Sequence, residues 1–146
     1  MPKTIYTAKA TVTGGRDHGH GVGSDGNLDV QLRLPPEMGG DGSEPGTNPE
    51  QLFAVGYAAC FEGALGAAAR REKLELGDVS IDSSVALSPN GSGGFELSVE
   101  LDVSLHGVSD PEQARKIVAL AHEICPYSNA TRGNIEVALS ANGQSL

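Results

Sequence analysis

The apolar stretch from Leu52 to Ala69 constrains the fold more than any other feature of the sequence. Ala and Gly outnumber Leu and Ile in it, and Glu62 interrupts it. That composition predicts a buried helix rather than a membrane span, which needs about 20 strongly apolar residues. Asn48 reads as the N-cap, Pro49 as the first helical residue and Glu50 as an acid in the dipole-favoured first turn. The helix is predicted to run to about Lys73, where Arg70, Arg71 and Lys73 complement its C-terminal dipole, with Gly77 ending the connection after it. Gly56, Cys60, Gly63 and Ala67 follow one another at spacings of 4, 3 and 4 and so share one face. Only small side chains occupy that face, so another element can approach the backbone closely there.

The segments around this helix carry the alternation of strands. Ile5 to Thr13 and Leu28 to Leu34 read as two strands, separated by a glycine-rich loop over Gly14–Gly21, and Pro35-Pro36 stops the second. Gly39 to Thr47 is a polar loop. Val79–Leu87 and Phe95–Leu105 form a long antiparallel hairpin around the flexible Pro89–Gly94 segment. In its second arm Phe95, Leu97, Val99, Leu101, Val103 and Leu105 share one face, and Glu96, Ser98, Glu100, Asp102 and Ser104 the other. Asp110-Pro111-Glu112-Gln113 opens a second helix with apolar stripe Ile117, Leu120, Ala121 and Ile124, and Pro126 places Cys125 near its end. Ile135–Ala141 is a final strand. No repeat or domain boundary is visible, so residues 1–146 read as one α+β (mixed α/β) domain with two antiparallel sheets around two main helices.

Charge narrows the partners. A net charge of -9 excludes a nucleic-acid or anionic-membrane surface as partner. Met1-Pro2-Lys3-Thr4 has no apolar h-region, so a cytoplasmic chain is expected. In a reducing compartment the two cysteines read as a nucleophile and its partner, or as two inert core thiols, rather than as a structural staple.

Two segments sharpen that choice. Asn48-Pro49-Glu50-Gln51-Leu52-Phe53-Ala54-Val55-Gly56-Tyr57-Ala58-Ala59-Cys60-Phe61 resembles the signature of the organic hydroperoxide resistance proteins of the osmotically-inducible-protein-C (OsmC) superfamily. His122-Glu123-Ile124-Cys125-Pro126-Tyr127-Ser128-Asn129-Ala130-Thr131-Arg132-Gly133-Asn134 resembles that family's second-cysteine motif. The resemblance extends over the whole chain, including the early Gly-Gly-Arg loop. It implies an OsmC-like fold, an intertwined homodimer and a thiol peroxidase acting on organic hydroperoxides, including fatty-acid hydroperoxides. Cys60 would be the peroxidatic cysteine and Cys125 the resolving one, with Arg16 and Glu50 as the polar pair of the site. The implied reductant is a lipoylated protein; no resident cofactor or metal is expected.

Physical chemistry asks for these residue types. A thiolate is the nucleophile, and burial alone disfavours it. A guanidinium beside Cys60 would stabilise it and hold a peroxide oxygen as charge develops on the leaving alkoxide. Glu50 poses a geometric question. In a continuous helix it lies about 15 Å along the axis from Cys60 and about 80° off its face. Either a second subunit's Glu50 reaches the thiol, or the helix starts after Glu50; its ordinary role would be to complement the helix dipole. Phe53, Tyr57 and Phe61 are expected either to line an apolar peroxide pocket or to belong to the core. Asp17, His18 and His20 lack a third ligand type and read as loop residues rather than a metal site. His122 is the base of a rival reading, a Cys-nucleophile hydrolase or acyl transferase. A further rival is a non-catalytic redox sensor or small-ligand binder.

Overall fold

The structure is a computed structural model that describes residues 2–146, and it resolves into two compact units, one within the first 52 residues and the other Phe53–Leu146. In the first unit, β1 (Ala10–Thr13), β2 (His18–Gly23) and β3 (Asp29–Arg33) form an antiparallel sheet in that order. The strand expected from Ile5 begins only at Ala10, which pairs with Gly23 at the end of β2. Beyond Ala10 the Lys9 carbonyl still accepts the Ser24 amide at 2.9 Å, but among the described residues no strand pairs with residues 5–9. The glycine-rich loop is likewise shorter than expected. Only residues 14–17 turn, because from His18 onward β2 pairs on both sides.

After β3 a single 3-10 turn, Pro36–Met38, leads into the polar loop, which returns to the sheet through a bridge between Leu32 and Thr47. The Asn48 side chain then accepts the Gln51 amide at 2.8 Å and caps α1 (Pro49–Glu72). Because α1 starts at Pro49, Glu50 stands in its first turn, and a helix beginning after Glu50 is excluded. Lys73 ends it in the left-handed region, at φ 53°.

The second unit contains a four-stranded sheet, β4 (Val79–Pro89), β5 (Phe95–Leu105), β6 (Glu136–Ala141) and β7 (Gln144–Ser145). β4 and β5 form the expected hairpin, from Val79 opposite Leu105 to Pro89 opposite Phe95. This sheet is mixed rather than wholly antiparallel, because β6 runs parallel to β5. A parallel pair needs a crossover of a dozen or more residues. Here α2 (Pro111–Ile124) and the short α3 (Pro126–Thr131) supply it. The Asp110 side chain caps α2 by accepting the Glu112 amide.

Tyr57, Phe61, Leu65 and Ala68 of α1 pack into one cluster with Val99, Leu101, Val103 and Leu105 of β5 and Ile117, Val118 and Ala121 of α2. α1 is long and apolar enough to cross a membrane, yet these residues make it the core helix of this unit.

Candidate thiol site

The helices bring the two cysteines together. Cys60 projects from the middle of α1. Cys125 is the single extended residue between α2 and α3, at φ -62° and ψ 122°. Pro126 disfavours helical geometry at the residue before it, so the chain turns a corner at Cys125 instead of continuing α2. The two sulfurs lie 3.5 Å apart, and both thiols are free. Cys125 is fully buried and Cys60 only partly so, which leaves Cys60 as the thiol a solute reaches first.

Burial is the largest influence on Cys60 and pushes its pKa up, and the neighbouring Cys125 adds to the rise. The backbone amide of Tyr127 donates to the Cys60 sulfur and opposes both, without cancelling them. The Tyr127 ring lies against Gly56, where a Cβ would come within 3.0 Å of its hydroxyl oxygen. Glycine one turn before Cys60 therefore lets Tyr127 settle on α1. The lower end of the small-residue face behaves differently, since among the described residues nothing outside the helix backbone lies within 4 Å of a Cβ added at Gly63.

Phe53, Tyr57 and Tyr127 form a three-ring cluster, with centroids 5.7 to 6.1 Å apart. Of the three aromatics considered as a pocket wall, Phe53 borders a cavity. With Leu87, Phe95, Tyr127 and Ile135 it lines a mainly apolar cavity of about 690 Å³. Tyr57 and Phe61 are fully buried core residues, because they lie on the side of α1 that faces β5 and α2.

Arg16, on the β1–β2 turn, donates to Glu50 at 2.7 Å. Burial alone would raise the Glu50 pKa. The Arg16 hydrogen bond, Glu50's own backbone amide and the Arg16 charge outweigh it and hold the carboxyl below its ordinary value. Arg16 Nε is buried without a partner, so the guanidinium keeps a donor in reserve. The first unit thus assembles this ion pair by itself.

Among the described residues, no three His, Cys, Asp or Glu side chains gather as a metal site would require. His20 instead pairs with Asp29 at 2.6 Å. His122 Nδ1 is buried and unpartnered, and burial, then the charge of Arg132, lowers the His122 pKa against a smaller opposing effect of Glu123. Arg132 donates to the His122 carbonyl at the end of α2 and to Asn129. The Tyr127 amide is the site feature that no side-chain pattern announces. Its only sequence trace is the Cys-Pro step, which sends the chain back toward α1.

An OsmC-like protein family model matches residues 40–140. The chain is 55% identical over 139 residues to an organic hydroperoxide resistance protein of Xanthomonas axonopodis pv. citri, covering 94% of this chain and 95% of that one. It is 46% identical over 136 residues to the organic hydroperoxide resistance protein OhrB of Bacillus subtilis, covering 92% and 96%. Among solved structures, a Vibrio cholerae protein described as an organic hydroperoxide resistance protein, with captopril in one of its active sites, superposes with a TM-score of 0.91 at 48% identity, covering 99% of this chain and 96% of that one.

Proposed function

The chain belongs to the OsmC-like family, in its organic hydroperoxide resistance branch, and from that membership we propose that it is a thiol peroxidase that reduces organic hydroperoxides. The observation that carries the reading is the pair of free thiols 3.5 Å apart, one reachable and one buried. The Cys60 thiolate attacks the peroxide, the O–O bond breaks, the alkoxide leaves as an alcohol after taking a proton, and Cys60 becomes a sulfenic acid. The Cys125 thiol attacks that sulfur, water leaves, and a Cys60–Cys125 disulfide forms. An external dithiol, in this reading a protein-bound lipoyl group, reduces the disulfide and is itself oxidised. All of this belongs to the cytoplasm, where thiols are kept reduced.

Arg16, held by Glu50, supplies the positive charge that burial makes necessary at Cys60 and holds the peroxide oxygen. The protein works as a homodimer, and each site combines the thiols of one chain with the Arg16–Glu50 pair of the other. Phe53 and the apolar cavity it borders favour a bulky substrate, since burying apolar surface contributes roughly 25 cal/mol per Å². A single domain over residues 1–146 carries the whole activity.

The test is peroxide consumption with dihydrolipoamide as reductant, comparing a bulky alkyl hydroperoxide with hydrogen peroxide. The alkyl substrate should have the higher kcat/KM. Cys60→Ser should abolish turnover, and Cys125→Ser should allow one oxidation of Cys60 with no disulfide. Full-rate turnover by Cys60→Ser sinks the assignment, and equal kcat/KM for the two peroxides removes the role of the apolar cavity.

A further inference from the structure

Three buried hydroxyls lie beside the cysteine pair and take no part in the chemistry above. The Tyr57 hydroxyl is 2.8 Å from Ser128 Oγ and 3.2 Å from Thr131 Oγ1. Tyr57 and Ser128 are fully buried, and Thr131 nearly so. The Thr131 hydroxyl also reaches the carbonyls of Tyr127 at 3.0 Å and Ser128 at 3.3 Å. One arrangement of the protons leaves no donor of these hydroxyls unused. In it, Thr131 donates to a carbonyl of its own helix, so its oxygen accepts from Tyr57. Tyr57 in turn accepts from Ser128, whose hydroxyl has no other partner among the described residues. The chain therefore runs from Ser128 to Tyr57 to Thr131 to the Tyr127 carbonyl, and no donor is wasted.

This chain joins the two helices that hold the thiols. Tyr57 is one turn before Cys60 on α1, and Ser128 is three residues after Cys125 on α3. It ends on Tyr127, the residue whose amide donates to the Cys60 sulfur. We propose that Tyr57 is a positioning residue for resolution: its hydroxyl clamps α3, and with it Cys125, against α1 while Cys60 is oxidised. The inference rests on the peroxidase reading.

Two reactions compete for the Cys60 sulfenic acid. In one, the Cys125 thiol attacks its sulfur, the S–S bond forms, the S–O bond breaks and hydroxide leaves with the thiol proton as water. In the other, a second hydroperoxide oxidises it to sulfinic acid and departs as a second alcohol. The first requires the sulfurs to close from 3.5 Å to about 2.05 Å. A clamp that keeps Cys125 near favours it. Tyr57→Phe removes one oxygen, keeps the ring in its cluster, and leaves Ser128 and Thr131 without their shared partner.

The test is intact-mass analysis of the reduced protein after graded alkyl hydroperoxide without reductant. Tyr57→Phe should raise the ratio of sulfinic acid to disulfide by about fivefold, the scale of one lost net hydrogen bond. Ser128→Ala should do the same, the double variant should show no further rise, and Ser128→Thr, which keeps a hydroxyl, should retain the wild-type ratio. A Cys125→Ser background reports separately any change that Tyr57→Phe makes in the first oxidation through the Tyr127 amide, and the sulfinic-to-disulfide ratio is compared at matched Cys60 oxidation, so that such a change does not mimic lost resolution. An unchanged ratio in folded Tyr57→Phe overturns the proposal. So does an equal change in Leu65→Val, a core variant that removes none of these hydrogen bonds. If wild-type Cys60 is not oxidised at all, the peroxidase reading falls first and this inference with it.

Discussion

Cys60 stands between opposing influences, and their balance decides its reactivity. Burial leads, contact with Cys125 adds to it, and a single amide hydrogen bond from Tyr127 resists, so the thiol stays above its ordinary pKa. A thiol in that position is mostly protonated at neutral pH, and its attack rate follows the small thiolate fraction. The rate of single-turnover oxidation should therefore rise with pH and level off above the operative pKa. In the proposed site the Arg16 charge pulls that pKa down. Arg16→Ala should move the midpoint of the pH–rate profile upward, toward the value burial sets. The rate at neutral pH should then fall about tenfold for every pH unit by which the midpoint rises. Arg16→Lys keeps the charge but loses the planar fork, so its midpoint should stay near wild type while its plateau falls. A wild-type plateau in Arg16→Lys would leave only a point charge at work. An unmoved midpoint in Arg16→Ala would remove Arg16 from thiolate stabilisation.

At the scale of elements, the second unit is closed by a backbone crossing. The chain entering β4 passes the chain leaving β5 so closely that the Gly107 amide donates to the Leu76 carbonyl at 2.6 Å. A Cβ at Gly107 would lie 2.6 Å from the Gly77 nitrogen and 2.7 Å from the Leu76 carbonyl carbon. Both are backbone atoms, so no rotamer change relieves the clash. Gly107→Ala should lower the unfolding free energy by about 2 kcal/mol in urea titration, with the single-turnover oxidation rate of Cys60 unchanged. Wild-type stability would mean that the crossing relaxes freely. Sequence does not announce this crossing, although it announces the elements on either side. α1 is legible from end to end because Asn48, Pro49 and the basic final turn are local signals. β4 and β5 are legible because eleven residues of each give several full periods. α3 and β7, with 6 and 2 residues, give none. β1 is overread from Ile5 because alternation does not reveal where a strand's partner ends. The same limit applies to the site. The cysteines stand out by their motifs and Arg16 and Glu50 only through the family resemblance, whereas the Tyr127 amide has no side-chain signature at all. Whether Tyr57 and Phe61 meet a cavity or the core depends on which side of α1 the sheet covers.

At the scale of the whole molecule, the chain leaves much apolar surface uncovered. Only 28% of the most apolar 18-residue window of α1 is buried. Tyr6, Val12, Val55 and Phe95 are each at least 60% exposed. The proposed second copy would cover exposed apolar side chains of this kind. Arg16 and Glu50 are bonded at 2.7 Å within one unit, so in the proposed site the pair would act together, whichever chain's Cys60 it served. That sharpens a test by mixed dimers. A chain carrying Cys60→Ser keeps the ion pair, and a chain carrying Arg16→Ala keeps the thiols; each alone should be inactive. If the pair serves the thiol of the other chain, a dimer of the two contains one competent site and should recover about half the wild-type activity. Mixing Cys60→Ser with Glu50→Ala should recover activity as well, because removing either member of the pair disables the same site. Recovery in the first mixture alone would detach Glu50 from the function of Arg16. No recovery in either, with mixed dimers shown by mass to form, would place the ion pair and the thiols in a single chain and overturn the two-chain site.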